Sequence, residues 1–207
     1  MNNIYAKGAI LLLSGPSGCG KSSLLKEVYK VIDNYYFSIS TTTREPRAGE
    51  IDGVDYFFVS KEEFKCDIKK GDFLEWAEVH GNYYGTSLNP INNALNNGKL
   101  VIFDIDVQGF EQVMNKLRSI TTTVFITTPS IKELESRLYN RNTDTQEVIE
   151  KRIINAIKEI EYIDQYDYFI INDDLKIASD QLVSIAKSAL VKASLFNKKQ
   201  IMEKWYK

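Results

Sequence analysis

The chain has 207 residues, of which 43% are hydrophobic and 12% aromatic, so it can bury a sizeable core and is not expected to be disordered. Its net charge of -2 lacks the basic excess of a duplex-binding domain. No apolar run is long enough to span a membrane, and the first residues do not resemble a secretory signal. Cys19 and Cys66 have neither metal-ligand nor disulfide spacing, which favours free thiols. We therefore expect a cytoplasmic protein without nucleic-acid or membrane partners, and the sequence does not decide between a monomer and a homo-oligomer.

The first part of the chain has the pattern of an alternating α/β protein. Residues 9–13 are apolar at every position, which favours a strand buried on both faces of a parallel sheet. A glycine-rich turn ends this strand, and from Lys21 the apolar residues recur at helical spacing. Residues 36–40 form a second predicted strand. The polar stretch 41–53, with Pro46 and two glycines, is predicted to be a loop.

The hydrophobic period then changes to that of a small sheet. Residues 54–59 and 73–79 are predicted strands, separated by a short helix near 61–69. Gly81 and Asn82 form a hairpin turn signal that leads into a further strand. We interpret this block as an antiparallel insertion in the α/β chain.

The alternation of strands and helices resumes after Pro90. Predicted strands cover 100–105, 122–127 and 168–171, and predicted helices cover 107–116, 131–139 and about 145–163, with a last helix from Asp174 or Leu175. In the helix at 145–163 we expect one apolar stripe to face the core. Its members are Val148, Ile149, Ile153, Ala156, Ile157 and Ile160. This order predicts a doubly wound parallel sheet.

A phosphate-binding loop lies between the first strand and the first helix. The pattern G-x-x-x-x-G-K-[ST] is matched from Gly15 to Ser22, in the strand–turn–helix context that it requires. Glycines allow successive N–H groups to point at phosphate oxygens, and the helix N-terminus adds positive potential. Lys21 is predicted to reach the β- and γ-phosphates of ATP, and the Ser22 hydroxyl to bind Mg²⁺. The predicted ATP-binding residues of the loop are Gly15, Pro16, Ser17, Gly18, Cys19, Gly20, Lys21, Ser22 and Ser23.

Two arginines, Arg44 and Arg47, lie in one turn-rich loop. Their guanidinium groups suit a phosphate dianion, although a solvated charge pair is an equally good interpretation of arginines in a polar loop. The loop alone therefore does not identify an acceptor.

Several motifs along nearly the whole chain resemble the guanylate kinase family, in the family's order and spacing. They are Gly15-Pro16-Ser17-Gly18 with Gly20-Lys21-Ser22, Ser40 with Thr42-Thr43-Arg44, Pro46-Arg47 with Gly49-Glu50, Asp55-Tyr56, Phe73 with Glu75-Trp76-Ala77, Asn82-Tyr83-Tyr84-Gly85-Thr86, Asp104-Ile105-Asp106 with Gln108-Gly109, and Ile171-Asn172-Asp173-Asp174. The resemblance implies a P-loop nucleoside monophosphate kinase fold. It assigns 1–39, 88–130 and 163–207 to the core, 40–87 to an antiparallel GMP-binding subdomain and 131–162 to a helical lid.

The resemblance implies which side chains bind GMP. In the family, the equivalents of Arg44, Arg47, Tyr56 and Tyr84 hold its phosphate. The equivalent of Glu75 accepts from the N1–H and 2-amino group of guanine, and Ser40 and Thr86 would donate to its O6 or N7. Adenine offers no such pair of donors, so AMP would leave the carboxylate unpaired.

Two aspartates follow the predicted strand at 100–105, where ligands of α/β sheets gather. The resemblance implies that Asp104 faces the nucleotides and orients a phosphate-binding arginine or a water on Mg²⁺. Asp106 is a second candidate at the substrate site, with capping of the helix that begins at Val107 as the alternative.

The resemblance also assigns roles on the ATP side. The equivalents of Arg141 and Arg152 move with the lid onto the transferring phosphoryl group, and Arg137 is a further candidate. Asn172 and Asp173 would lie near the adenine of ATP. Lys21, Arg44 and Arg47 complete the cations expected around the transition state.

The implied reaction is Mg²⁺-dependent transfer of the γ-phosphoryl group of ATP to GMP, and by extension to dGMP. Two alternatives stay open at this point. One is a non-catalytic interaction module of the same fold, which would lack the loop lysine and lid arginines. The other is a P-loop kinase for a ribose bisphosphate, which would have no need of a purine-binding carboxylate such as Glu75.

Overall fold

The computed structural model describes residues 8–47, 49–79, 81–140 and 145–207. The strands are β1 (Ala9–Ser14), β2 (Tyr35–Phe37), β3 (Thr41–Thr42), β4 (Phe57–Phe58), β5 (Phe73–Val79), β6 (Asn82–Ser87), β7 (Leu100–Asp104), β8 (Thr121–Thr127) and β9 (Tyr168–Ile171). The α-helices are α1 (Lys21–Val31), α2 (Lys61–Lys70), α3 (Leu88–Asn96), α4 (Val107–Leu117), α5 (Ile131–Asn140), α6 (Gln146–Glu159), α7 (Leu175–Ala189) and α8 (Lys198–Trp205).

Five parallel strands form the central sheet in the order β2-β7-β1-β8-β9. Every residue of β1 is buried, because its neighbours β7 and β8 pair with both edges and helices cover both faces. Leu11 and Leu13 lie in a core cluster with α1 and α7, whereas Ile10 and Leu12 lie in a second cluster with α3 and α4. The predicted doubly wound parallel architecture is confirmed.

The inserted block forms a separate four-stranded sheet in the order β4-β3-β6-β5. The pairs β3–β6 and β5–β6 are antiparallel, but β3 and β4 are parallel, so the insertion is antiparallel only in part. The predicted strand at 54–59 is wrong over most of its length. Two aspartates cause this: Asp55 accepts from the Ile51 N–H at 2.8 Å and Asp52 from the Phe58 N–H at 2.9 Å, which hold the chain in a turn.

The segment after residue 145 also differs from its prediction. Helix α6 ends at Glu159, and a 3₁₀ segment, Ile160–Gln165, follows. Of the predicted apolar stripe, only two members are buried, Ile149 and Ala156, since α6 packs on the core over a narrow face. Three members of the stripe are exposed, namely Val148, Ile157 and Ile160. Helix α8 was not predicted from the sequence. No helix in the described ranges has the length and apolar character to cross a membrane.

Phe64 forms the centre of the insertion's own core. Its ring is fully buried and lies 4.3 Å from the ring centroid of Phe73 and 5.4 Å from that of Tyr83. Helix α2, which carries Phe64, begins with a capping box between Ser60 and Glu63. One aromatic side chain therefore joins the helix of the insertion to its sheet.

We expect Phe64→Ala to lower the free energy of unfolding by about 3–5 kcal/mol, because it leaves a cavity under β5 and β6. Urea denaturation followed by circular dichroism measures the change. Lys69→Ala, an exposed substitution in the same helix, should stay within about 0.5 kcal/mol of the parent protein. Equal effects of the two substitutions would contradict this role of Phe64.

Candidate active site

The phosphate loop curls tightly between β1 and α1. Gly15, Gly18 and Gly20 have φ angles of 139°, 99° and 97°, which side-chain-bearing residues rarely adopt. A Cβ at Gly15 would lie 1.9 Å from the Ile126 carbonyl oxygen, so the loop also packs too closely on β8 to admit a side chain there. The loop backbone therefore has the conformation that the motif requires.

Lys21 lies between the phosphate loop and the end of β7. Its ammonium donates to the Gly15 carbonyl at 2.5 Å and lies 3.6 Å from the nearer carboxylate oxygen of Asp104. The two side chains are only 13% and 27% exposed. Burial raises the pKa of Asp104, and the Lys21 charge opposes that shift. Ser22 follows in the first turn of α1 and is exposed.

A cavity of about 340 Å³ opens on the other side of Asp104, between the insertion and the central sheet. Its wall includes Ser40, Glu75, Tyr84, Asp104, Asp106 and Gln108. All but Gln108 were predicted substrate-binding residues. Residues of β5 and β6 form one wall of the cavity, and the end of β7 with the first turns of α4 forms the other.

Glu75 is the carboxylate of this cavity. It lies directly opposite Thr86 in the β5–β6 register, and the Thr86 hydroxyl donates to its carboxylate at 2.5 Å. Burial raises the pKa of Glu75, the Thr86 hydrogen bond opposes the shift, and the charge of Asp106 adds to it. Because a hydroxyl has one proton, Thr86 cannot donate to guanine while it donates to Glu75. In this structure Thr86 orients the carboxylate.

A cluster of cationic and phenolic groups lies in the insertion. The Nη2 of Arg44 donates to both carboxylate oxygens of Glu50, at 2.8 and 2.9 Å, and its guanidinium carbon lies 5.4 Å from the ring centroid of Tyr56. The rings of Tyr56 and Tyr84 are 6.2 Å apart. Arg47 is exposed, and its backbone N–H donates to Glu50 at 2.7 Å. The structure thus brings together three of the four predicted phosphate-binding side chains and places the fourth on the same turn.

Asp106 caps helix α4. Its Oδ1 accepts from the N–H groups of Gln108 at 3.0 Å and Gly109 at 2.8 Å. The alternative that the sequence left open for Asp106 is therefore observed, and its charge still borders the cavity that contains Glu75.

A second cavity, of about 390 Å³, lies on the opposite side of the phosphate loop. The residues that border it are Gly18, Gly20, Ser23, Arg137, Asn140, Asn172, Asp173 and Leu175. Asn172 is buried, and its amide Nδ2 donates to the Cys19 carbonyl at 2.7 Å. The Cys19 side chain is fully buried beneath the loop, and burial raises the pKa of its thiol.

Helices α5 and α6 each direct an arginine toward the phosphate loop or toward Asn172 beside it. Arg152 donates from Nη1 to the Ser17 hydroxyl at 3.1 Å. Arg137 pairs with Glu133 at 2.7 Å and donates to the Asn172 carbonyl at 3.0 Å, so it points toward the second cavity rather than toward Lys21. The predicted catalytic residue Arg141 lies outside the described residues.

Two glutamates escaped the sequence-based site prediction. Glu50 was part of a motif, but its pairing with Arg44 follows only from the turn of the loop. Glu159 is half-buried at the end of α6. Burial raises the pKa of its carboxyl, the charge of Lys21 opposes this rise, and the charge of Asp106 adds to the rise. Its position seven residues after Arg152, on the same helix face, was a usable signal.

The comparisons with known proteins agree with this geometry. The family model described as guanylate kinase matches residues 7–189. A guanylate kinase from Wolinella succinogenes is 52% identical over 200 residues, which cover 97% of this chain and 93% of that protein. Another, from Sulfurimonas denitrificans, is 57% identical over 188 residues and 91% of each chain.

A solved structure is also similar to this one. The crystal structure of guanylate kinase from Anaplasma phagocytophilum has a TM-score of 0.74 and 32% sequence identity, and the match covers 96% of this chain and 95% of that one. With a family model over most of its length and relatives above half identity, the chain belongs to the guanylate kinase family.

Proposed function

We propose that this protein transfers the γ-phosphoryl group of ATP to GMP, giving ADP and GDP. Family membership supports the proposal, and one observation carries it for this chain. The half-buried carboxylate of Glu75, oriented by Thr86, lies in a cavity whose far wall includes Asp104, the partner of the phosphate-loop lysine. A site for a guanine base and a site for a triphosphate thus share one wall.

The base would be selected by the carboxylate of Glu75. Its two oxygens match the N1–H and 2-amino donors of guanine, whereas adenine would leave a buried carboxylate without a partner. Ser40, on the wall of the same cavity, would add a contact to O6 or N7. The strand pairing of β5 with β6 keeps this part of the site rigid.

The GMP phosphate would bind at the turn that carries Arg44 and Arg47. Two guanidinium groups and the phenols of Tyr56 and Tyr84 suit a dianion with three oxygens. Arg44 is already held by Glu50 and by the ring of Tyr56, which limits the rotamer entropy lost on binding.

In the transfer step, an oxygen of the GMP phosphate attacks the γ-phosphorus of ATP. The bond from that phosphorus to the β,γ-bridging oxygen breaks, and its electron pair stays on ADP. A phosphate monoester is largely dianionic at neutral pH, so the attack requires no general base. Lys21, Arg152 and Arg141 would stabilise the charge that spreads over the γ-oxygens, while the closed lid and insertion would exclude water.

The residues at the phosphate loop fit a magnesium ion. The Ser22 hydroxyl and the Asp104 carboxylate are hard oxygen donors on neighbouring elements, and the described part of the chain contains no cluster of three or more acidic, histidine or cysteine ligands. That donor set suits an ion that takes most of its ligands from phosphate and water. When bound, Mg²⁺ would neutralise charge on the β- and γ-phosphates.

The expected division of the chain is part of the proposal. Residues 40–87 would close over GMP and 131–162 over ATP, against a core formed by 1–39, 88–130 and 163–207. We further propose that the protein acts on free nucleotides in the cytoplasm, without nucleic acid or membrane.

Both alternatives from the sequence lose support. A non-catalytic module has no use for Lys21 beside Asp104 or for Arg152 against the loop, and both contacts are present. A kinase for a ribose bisphosphate has no use for the part-buried Glu75–Thr86 pair.

A coupled assay of ADP formation with ATP and a panel of acceptors tests the function. We expect turnover with GMP and dGMP, and at least 100-fold lower kcat/KM with AMP and ribose phosphates, as a site with buried polar groups discriminates strongly. Turnover with a ribose phosphate alone, or with no acceptor, would refute the proposal.

Glu75→Gln is expected to reduce the preference for GMP over AMP by about 10- to 100-fold, because an amide cannot accept two adjacent donors as a carboxylate does. The same acceptor assay measures the ratio of kcat/KM values. Glu78→Gln, on the same strand and exposed, is the matched control and should leave the ratio unchanged. An unchanged ratio in the Glu75 variant would remove this residue from base recognition.

The raised pKa of Glu75 predicts a pH dependence of GMP binding. Below that pKa the carboxyl is protonated and can no longer accept both guanine donors, so affinity should fall as the pH decreases, starting above the ordinary value of 4.5. The GMP phosphate also gains a proton near pH 6, as other phosphate monoesters do. The dissociation constant of GMP should therefore be measured by calorimetry at each pH for both Glu75→Gln and the parent protein, and the ratio of the two constants compared across the pH range. A ratio that does not change with pH would contradict the prediction.

A further inference from the structure

Asn172 connects the end of the central sheet to the phosphate loop. It directly follows β9, and its backbone N–H donates to the Thr127 carbonyl at 2.7 Å, so its main chain is held by β8. Its side chain is 4% exposed and donates from Nδ2 to the Cys19 carbonyl at 2.7 Å. A buried amide thus joins two segments that are 153 residues apart.

The accepting carbonyl belongs to the peptide bond between Cys19 and Gly20. In a planar trans peptide the C=O and N–H point in opposite directions, so a carbonyl held toward Asn172 directs the Gly20 N–H away from it. Gly20 precedes the first turn of α1, where N–H groups bind phosphate. The hydrogen bond from Asn172 therefore sets the direction of one donor of the phosphate site.

The contact leaves no space for a side chain at Gly20. A Cβ there would lie 2.3 Å from the Asn172 Nδ2, and the φ angle of Gly20 is 97°. A side chain at this position would be both strained and sterically excluded, so glycine is what allows the loop to approach the amide this closely.

Arg137 supports Asn172 from the lid. Its Nη2 donates to the Asn172 carbonyl at 3.0 Å, and its Nε donates to Glu133 at 2.7 Å. Since these two contacts engage the Nε and Nη2 of the guanidinium, Arg137 in this arrangement holds the main chain of Asn172. Hydrogen bonds thus connect helix α5 through Asn172 to the Cys19 carbonyl.

We propose that Asn172 is a positioning residue of the phosphate loop: its amide orients the Cys19–Gly20 peptide for the phosphates of ATP, and Arg137 holds Asn172 in place. The proposal rests on the donor side of the proposed function. It goes beyond the expectation that Asn172 lies near the adenine of ATP, because a positioning residue acts on the phosphates of any nucleoside triphosphate equally.

Asn172→Asp separates the two roles. The variant replaces the donating amide with an oxygen, so the Cys19 carbonyl loses its hydrogen bond and faces a second acceptor. We expect the dissociation constants of ATP, ITP and inorganic tripolyphosphate to rise by a similar factor of about ten, measured by calorimetry without GMP. In turnover, KM for ATP should rise while KM for GMP stays unchanged.

Asn34→Asp is the matched control. Asn34 is exposed, and its amide also donates to a backbone carbonyl, that of Gly98 at 3.3 Å, before the start of β2. We expect its affinities for all three ligands to equal those of the parent protein.

Asn172→Ala is a second variant that also removes the donating amide. It places no carboxylate in the buried position, so it avoids the unfolding that a buried charge can cause. All affinities are measured at a temperature at which circular dichroism shows each variant folded, and the alanine variant should lose affinity for the three ligands in the same pattern. A loss for ATP with no loss for tripolyphosphate would assign Asn172 to the base and overturn the proposal, as would unchanged affinity for all three. Failure of GMP phosphorylation in the parent protein would refute the proposed function alone, because the binding comparison contains no GMP.

Discussion

The site depends on one ammonium group that is held between two oxygen acceptors, one in its own loop and one on a neighbouring strand. Lys21 contacts the Gly15 carbonyl of its own loop and the Asp104 carboxylate at the end of a neighbouring strand. Two phosphate-bearing substrates repel each other strongly at short range, and this repulsion grows as water is excluded. Lys21, fixed beside an aspartate on the wall of the first cavity, would offset that repulsion without having to move into place. The parallel pairing of β1 with β7 is what brings these two residues together.

The two halves of the acceptor site use different kinds of structure. Glu75 and Thr86 face each other across a strand pair, so the carboxylate has little freedom, and in the proposed function its direction would discriminate between bases. Arg44 lies on a turn and is paired with Glu50, which lies on the same turn. A phosphate has three equivalent oxygens and tolerates small shifts of the turn, whereas a base with adjacent donors does not. Rigid strands for the base and an adaptable turn for the phosphate match these requirements.

The sequence was sufficient for the features that depend on local chemistry. The all-apolar strand β1, the glycines of the phosphate loop and the apolar period of α1 were visible because each reflects one segment's own conformation. The strand predicted at 54–59 failed, since the aspartates at 52 and 55 use their carboxylates to hold a turn in place of a ladder. The prediction that one apolar stripe of α6 faces the core was wrong in part for another reason. Apolar spacing indicates which face of a helix is apolar, but not how wide a contact the core offers to that face.

Roles within the site were harder to predict than membership of it. Thr86 was expected to contact guanine, but whether its one proton goes to a ligand or to Glu75 depends on a strand register that no local pattern reveals. Arg137 was expected among the catalytic cations, and its helix position is compatible with that. Its partner, the Asn172 carbonyl, is 35 residues away in sequence and could be found only in three dimensions.

Helix α6 shows how charge can set the position of a helix beside the phosphate loop. Arg152 and Glu159 lie two turns apart on one face, with buried Ala156 between them. The guanidinium lies against the phosphate loop at Ser17, while the carboxylate lies within the field of Lys21. A shift of the helix by one turn would remove Arg152 from Ser17 and Glu159 from the Lys21 field together. Opposite charges on one face therefore favour a single register of α6, and in that register Arg152 is directed at the loop that would hold the phosphates.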